Sequence, residues 1–296
     1  MWSKYTHLDH LRADVTVDQY RTWTDSDARH CIATPKSTDD KYSRGVLGII
    51  SGSRQYPGAA VLTCEGAMQT GVGMVRYFGP RKAKMLVLQR RPEIIIQSGQ
   101  VQAWLIGSGI DNSKLTRRRT NLIENAMSQQ IPIILDAGAI SFTSNTQTPT
   151  LITPHFRELA SLLNSAGNKV AANEIQKDPI KWAQIAADKF KVTVLLKGNQ
   201  TIVSTSDVTI QLPAATSWLA TAGTGDVLSG ILGALVATQS AQVVNDPSFL
   251  AELAATGSLI HSEAAALASQ GGPLTAQQLT IAIPQIVAKL LSCPTI

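Results

Sequence analysis

Along the chain, short apolar runs alternate with longer stretches in which apolar residues recur at helical spacing. Val46–Ile50, Ala103–Ile106, Ile131–Leu135 and Val192–Leu196 are runs of four or five mostly aliphatic residues, the pattern of strands buried on both faces. Glu93–Gln97 is a further strand candidate, and Thr201–Ser204 with Val208–Leu212 reads as a hairpin pair. Between them, residues 58–70 are alanine-rich with helical spacing. Residues 113–129 place Leu115, Leu122, Ile123, Ala126 and Met127 on one helical face, with Arg117–Arg119 largely off it. Leu151-Ile152 leads into Thr153-Pro154-His155, and a helix is expected from there through Leu163. Residues 179–190 form another, and helices near 225–239, 248–270 and 275–292 close the chain. This alternation predicts one α/β domain with a mostly parallel central sheet and helices on both faces. Residues 1–40 are polar and aperiodic, with Trp2, Tyr20 and Trp23 scattered. They read as an N-terminal extension lying across a domain of residues 41–296.

Composition narrows the function classes. Hydrophobic residues make up 44% and charged residues 16% of the 296, which excludes a disordered chain and allows a sizeable core. Aromatic residues at 5% argue against a base-stacking or sugar-stacking surface. No apolar run reaches the length of a membrane span, and Met1–His10 has no apolar core of a signal peptide. Three widely spaced cysteines, Cys31, Cys64 and Cys293, make neither a disulfide framework nor a zinc motif, so a cytoplasmic location is expected. The His7/His10 pair lacks a second ligand pair, and no metal-ligating set is assigned. The net charge of +5 is local. Arg81, Lys82, Lys84, Arg90 and Arg91 form one basic cluster, and Lys114 with Arg117–Arg119 another. Solvated helix faces account for both better than a nucleic-acid site, since no aromatic platform accompanies them.

In a parallel sheet, ligands gather at the carboxyl ends of the strands. The unusual residues of this chain fall there: Ser51-Gly52-Ser53, Gly107-Ser108-Gly109, Asp136, Pro154-His155 and Lys197-Gly198. The strongest segment is Ala220 to Asp226, where Gly223, Thr224 and Gly225 run into a helix. Bare backbone N–H groups at a helix start make an anion hole, and Asp226 lies in the first turn. The alternative is a glycine turn with an acidic residue stabilising the helix end. The dinucleotide fingerprint fails, since Gly71-Val72-Gly73 and Gly107-Ser108-Gly109 lack their third glycine, and no G-x-x-x-x-G-K-S/T P-loop occurs.

Taken in order, Ser51-Gly52-Ser53-Arg54 with Gly58-Ala59-Ala60, Gly107-Ser108-Gly109, Leu135-Asp136-Ala137, Thr153-Pro154-His155, Leu196-Lys197-Gly198 and Ala220–Asp226 resemble the ADP- or ATP-dependent NAD(P)H-hydrate dehydratases. These are members of the ribokinase-like superfamily, and the resemblance covers about residues 40–292. It implies a ribokinase-like fold and a carbon–oxygen lyase reaction that repairs hydrated NADH or NADPH. The hydrate hydroxyl is phosphorylated by ADP or ATP with Mg2+, and phosphate is then eliminated. By resemblance, Asp226 takes the hydroxyl proton, and Gly223, Thr224 and Gly225 hold the phosphoryl group. Lys197, Gly198, Asn199, Gln200 and Thr201, with Gly225, line the adenine nucleotide. Gly58, Ala59, Gly109, His155 and Asp226 line the hydrate.

The chain departs from the family pattern at four places. It has Ser51-Gly52-Ser53 for Gly-Gly-Ser and Gly107-Ser108-Gly109 for Gly-Pro-Gly. It has Asp136-Ala137-Gly138-Ala139 for Asp-Ala-Asp-Ala, and Phe156-Arg157 for Pro-Gly. These bear on hydrate binding and magnesium handling. A homo-oligomer and a separate NAD(P)H-hydrate epimerase are the implied partners, with no nucleic acid and no membrane. Two other readings stay open: a ribokinase-like kinase of a small hydroxylated metabolite, and a silent nucleotide-binding module.

Overall fold

In a computed structural model, which describes residues 20–293, nine strands form one sheet. They are β1 (Arg21–Thr22), β2 (Val46–Ile50), β3 (Met74–Tyr77), β4 (Ala103–Ile106), β5 (Ile133–Leu135), β6 (Thr150–Ile152), β7 (Thr193–Leu196), β8 (Ile202–Ser204) and β9 (Thr209–Gln211). Their spatial order is β1-β9-β8-β7-β6-β5-β4-β2-β3. From β3 to β7 all pairings are parallel; β8 and β9 then fold back antiparallel as a hairpin. The central strands are buried along their whole length, as their unbroken apolar runs require.

Eleven helices flank the sheet. They are α1 (Asp25–Cys31), α2 (Pro57–Thr70), α3 (Arg81–Arg90), α4 (Arg117–Met127), α5 (Phe156–Ser165), α6 (Ala172–Lys177), α7 (Pro179–Phe190), α8 (Thr224–Thr238), α9 (Ser240–Asn245), α10 (Phe249–Ser269) and α11 (Ala276–Ser292). Two hydrophobic clusters divide them by sheet face. One gathers α1–α3 and α8–α11, the other α4–α7. The mostly parallel sheet with helices on both faces is therefore as expected.

Helix α8 is central to the site. Every residue from Val227 to Ala237 is buried, so it reads as apolar all round and no amphipathic stripe orients it. Glycines set its depth: a Cβ on Gly230 would meet the Thr63 carbonyl oxygen at 2.2 Å, and one on Gly66 the Val227 carbonyl oxygen at 2.4 Å. The backbones of α2 and α8 thus touch, which no larger residue permits.

Several details differ from the sequence reading. Strand β3 and helices α3, α6 and α9 carried no expectation. Glu93–Gln97 is no strand; only Ile95 makes a single bridge, to Arg76. Part of the presumed extension is built into the body. Residues 21–22 add β1 beside β9, and Trp23, Ala28 and Cys31 lie in the core, where the Trp23 indole donates to Thr256 Oγ1 at 3.1 Å. His7 and His10 lie outside the described residues. Among the described residues no helix is long and apolar enough to cross a membrane.

Candidate active site

Because β2 and β4–β7 run parallel, their carboxyl ends deliver Ser51, Gly107-Ser108, Asp136, Thr153 and Lys197 to one edge of the sheet. Asp136 is 3% exposed and saturated with donors. Ser108 Oγ donates to its Oδ2 at 2.7 Å, Thr153 Oγ1 to its Oδ1 at 2.7 Å, and Lys197 Nζ to Oδ1 at 3.0 Å. Burial pushes this carboxyl up, but the Lys197 charge and the hydroxyl bonds outweigh it, and Asp136 is held below the usual carboxylate range. Lys197 responds in kind. Burial pulls it down, yet Asp136 first and Glu158 next keep it above its ordinary value.

The turn before α8 meets this pair. Gly223 has φ +93°, a left-handed conformation that side chains resist. Thr224 is buried, and its hydroxyl donates to the Leu219 and Thr221 carbonyls at 2.9 Å each. From the other side His261, buried in α10, bonds the Thr224 carbonyl through Nε2 at 2.9 Å. Burial pushes His261 down to about 4, so the ring is neutral at ordinary pH and Nε2–H donates. The Lys197 ammonium is the nearest group to the space beside Gly225, 4.0 Å from where a Cβ would stand. The Thr224 N–H of this rigid turn bonds the Thr221 carbonyl at 3.4 Å, while those of Gly223 and Gly225 have no partner among the described residues; facing a cation, they are suited to a phosphoryl group. Asp226 follows in the first turn. Burial, then the neighbouring Asp136 charge, pushes it up to about 6. It is thus poised to exchange a proton near neutrality.

The residues expected to line a hydrate fall into two places. Gly109 (φ +71°) abuts Ala59 and Gly52: a Cβ there would meet the Ala59 methyl at 2.8 Å and Gly52 Cα at 3.1 Å. Gly58, in the first turn of α2, has no neighbour within 4 Å of its Cβ position and opens outward. His155 lies instead beside Lys197, across an isolated parallel bridge, and caps α5. Its Nδ1 accepts the Arg157 and Glu158 N–H groups at 3.1 Å each, which leaves the proton on Nε2. Of the expected nucleotide residues, Lys197 reaches the Gly223–Gly225 turn. Gly198 is covered by the Phe156 ring, and the Asn199 carbonyl ties Ala215 at 3.0 Å. Asn199 and Gln200 are exposed and Thr201 half-buried.

The departures from the family pattern acquire physical content. Ser108 places its hydroxyl on Asp136. A Cβ at Gly138 would stand 2.4 Å from the Ile110 carbonyl oxygen, so no second carboxylate fits on this backbone. Glu158, whose Oε2 lies 3.8 Å from Lys197 Nζ, was not singled out in the sequence, although its capping-box spacing after His155 marks it. His261 has no local signal at all; only the packing of α10 on α8 brings it to the turn.

The basic clusters are not simply solvated faces. Arg90 and Arg91 reach Glu65 on α2, which is 2% exposed, with N–O distances of 2.9 Å. Arg119, expected off the buried stripe of α4, turns inward and donates to the Ser51 carbonyl at 3.0 Å.

A family model described as NAD(P)H-hydrate dehydratase matches residues 47–285. The chain belongs to this family. It is 35% identical over 288 residues to a bifunctional NAD(P)H-hydrate repair enzyme from Corynebacterium glutamicum, covering 86% of this chain and 49% of that one. The chain spans about half the length of such bifunctional relatives. With an ADP-dependent (S)-NAD(P)H-hydrate dehydratase from Neisseria meningitidis it shares 29% identity, over 83% of this chain and 85% of the relative. An ADP/ATP-dependent NAD(P)H-hydrate dehydratase from Bacillus subtilis, co-crystallised with ATP and Mg2+, superposes with a TM-score of 0.79 at 24% identity. That match covers 93% and 99% of the two chains and establishes the shared fold.

Proposed function

We propose that the protein dehydrates NADH hydrate and NADPH hydrate at the expense of ADP or ATP. The carrying observation is a proton acceptor pushed up to about 6, Asp226, beside a helix-start anion hole that faces the fixed Lys197–Asp136 pair. Family membership and the dehydratase relatives support the substrate; the cradle of Gly223–Gly225 N–H groups and Lys197 fits nucleotide phosphates. Hydroxide is a poor leaving group and phosphate a good one, and the nucleotide supplies the phosphoryl group. Asp226 accepts the hydroxyl proton as the hydrate oxygen bonds to phosphorus. Gly223, Thr224 and Gly225 donate to the phosphoryl oxygens while Lys197 offsets their charge. The ring nitrogen lone pair of the phosphorylated hydrate then expels phosphate, leaving an iminium, and loss of a proton from the adjacent ring carbon to water or to the departing phosphate restores the ring double bond. Asp136 takes no proton in this scheme; it keeps Lys197 charged and aimed. Among the described residues no three His, Cys, Asp or Glu side chains are grouped to cage a metal. Magnesium bound together with the nucleotide would be held mainly by its phosphates, a mode that needs only one or two carboxylates and water.

The hydrate is assigned to Gly58, Ala59, Gly109 and Asp226, with His155 reaching it from the Lys197 side, and the nucleotide to Lys197–Thr201 with Gly225. Two buried free cysteines, Cys31 and Cys64, fit a reducing cytoplasm. A homo-oligomer and a separate epimerase acting on the same substrate belong to the same reading. The test is incubation with NADH hydrate and ADP or ATP while following dihydronicotinamide absorbance. Nucleotide-dependent recovery of the absorbance is expected. Accumulation of a stable phosphorylated product would indicate a kinase, and no turnover would refute the assignment.

A further inference from the structure

Arg119 is charged, half-buried and without an acidic partner among the described residues. The other inward-turned arginines, Arg90 and Arg91, share the buried carboxylate of Glu65. Around Arg119, burial pulls the guanidinium down and only the Tyr77 hydroxyl offsets it; no carboxylate does so among the described residues. Its Nε is buried with no hydrogen-bond partner, and so is Oγ of the adjoining Ser51. An unpaired cation of this kind is costly to bury. The fold nevertheless holds it in place. Thr116 caps the helix that carries it, and its second terminal nitrogen bonds the Ser51 carbonyl, which also accepts the Tyr77 hydroxyl at 2.9 Å.

Its position connects it with the site. The next residue, Gly52, donates to the Ser108 carbonyl at 2.6 Å and packs against Gly109. Ser108 in turn holds Asp136. Arg119 therefore stands at the Ser51–Gly52 turn, on the β2 side of the sheet's carboxyl edge, with β4, β5 and β6 between that turn and Lys197. Lys114 Nζ approaches the same loop, bonding Gln55 at 3.0 Å. Lys114 already pairs with Asp111 at 3.2 Å, but Arg119 has no carboxylate among the described residues; a dinucleotide whose nicotinamide ring reaches Asp226 carries its pyrophosphate some way from that ring, and pyrophosphate is a counter-ion Arg119 lacks.

We propose that Arg119 anchors the pyrophosphate of the dinucleotide substrate, making it a determinant of preference for dinucleotides over phosphate-free nicotinamides. This rests on the dehydratase reading for the class of ligand. An arginine presents a planar fork of donors suited to phosphate oxygens. A purely supporting role, holding the Ser51 carbonyl, makes a different prediction.

The test compares binding of NADH and of reduced nicotinamide riboside, which has the same ring and no phosphate. It uses wild type, Arg119→Gln and Arg119→Lys, with ADP saturating so that the nucleotide site is filled. Thermal unfolding checks each variant. Arg119→Gln should weaken NADH by about tenfold to a hundredfold, the loss of a charged hydrogen-bonding pair. It should move the riboside by less than about twofold, within the scatter of a surface change, and Arg119→Lys should fall between. Equal weakening of both ligands would overturn the proposal in favour of turn support. So would unchanged NADH binding, or a wild type that binds both ligands alike. If Arg119→Gln does not fold, Arg119→Lys decides: loss of dinucleotide preference supports the anchor, and a preference retained at wild-type affinities for both ligands overturns it. Arg119-dependent NADH binding by a protein that fails to dehydrate the hydrate would refute the dehydratase reading alone.

Discussion

Asp136 and Asp226 sit at one site and are driven in opposite directions. Asp136 ends a central strand, receives two hydroxyls and an ammonium, and is held ionised below its usual range. Asp226 opens a helix, lies close enough to feel the Asp136 charge, and is pushed up to about 6. In the proposed reaction the two carboxylates thus divide the labour, one as a fixed anion and the other as the group that exchanges a proton. The difference comes from the donors each receives: Asp136 is fully buried yet saturated with them, whereas the half-buried Asp226 has no comparable set.

The largest way to break the comparison is Asp226→Asn. The backbone donors stay, so nucleotide binding should survive in a titration while turnover falls about 10²–10⁴-fold. Near-normal turnover would reduce Asp226 to a helix-end residue. Next comes Asp136→Asn, which strands Lys197 beside a neutral amide. Removing one partner of a buried pair costs about 3–5 kcal/mol, and the 23% exposure of the Lys197 side chain favours about 3 kcal/mol, read from chemical denaturation. Lys197→Ala should likewise cost stability, because it leaves Asp136 buried without its cation; loss of nucleotide affinity in that variant must be judged on folded protein.

The third effect is smaller and of opposite sign. A carboxyl raised from 3.8 to about 6 opposes folding once ionised, by about 3 kcal/mol at 1.36 kcal/mol per unit. The helix start returns only about 0.3–1 kcal/mol. Asp226→Asn should therefore stabilise the protein by about 2 kcal/mol at pH 8, where the wild-type side chain is ionised in both states. The gain should shrink as pH falls through 6 and vanish below about 4, where both states are protonated. Denaturation at pH 8 and pH 4 reads it; equal stabilities at pH 8 would show that the turn tolerates the charge at no cost.

Much of this arrangement was legible in the chain. The apolar runs located β2, β4, β5 and β7, and with them the strand ends that carry Ser108, Asp136 and Lys197. The glycines of the Gly223–Asp226 turn announced a helix start. What was not legible is what depends on distant packing. Strand β3 is short and interrupted by Arg76, so it gives no apolar run. The Lys197–Asp136 pair joins residues 61 apart in sequence. His261 comes from a helix buried on almost every side, where periodicity has nothing to distinguish. Arginines defeat pattern reading in another way: Arg119 sits beside Arg117 and Arg118 in a run that looks solvated, and only the carbonyl of Ser51 turns it inward.

The pH dependence of kcat/KM for NADH hydrate, in wild type and Asp136→Asn, tests the division between the two carboxylates most directly. Wild type should lose activity on the acid side with a midpoint near 6, because Asp226 must be ionised to take the hydroxyl proton. Removing the Asp136 charge while Lys197 remains should move that midpoint downward. An acid limb near 4 in wild type, or one that stays in place when Asp136 is neutralised, would contradict the account.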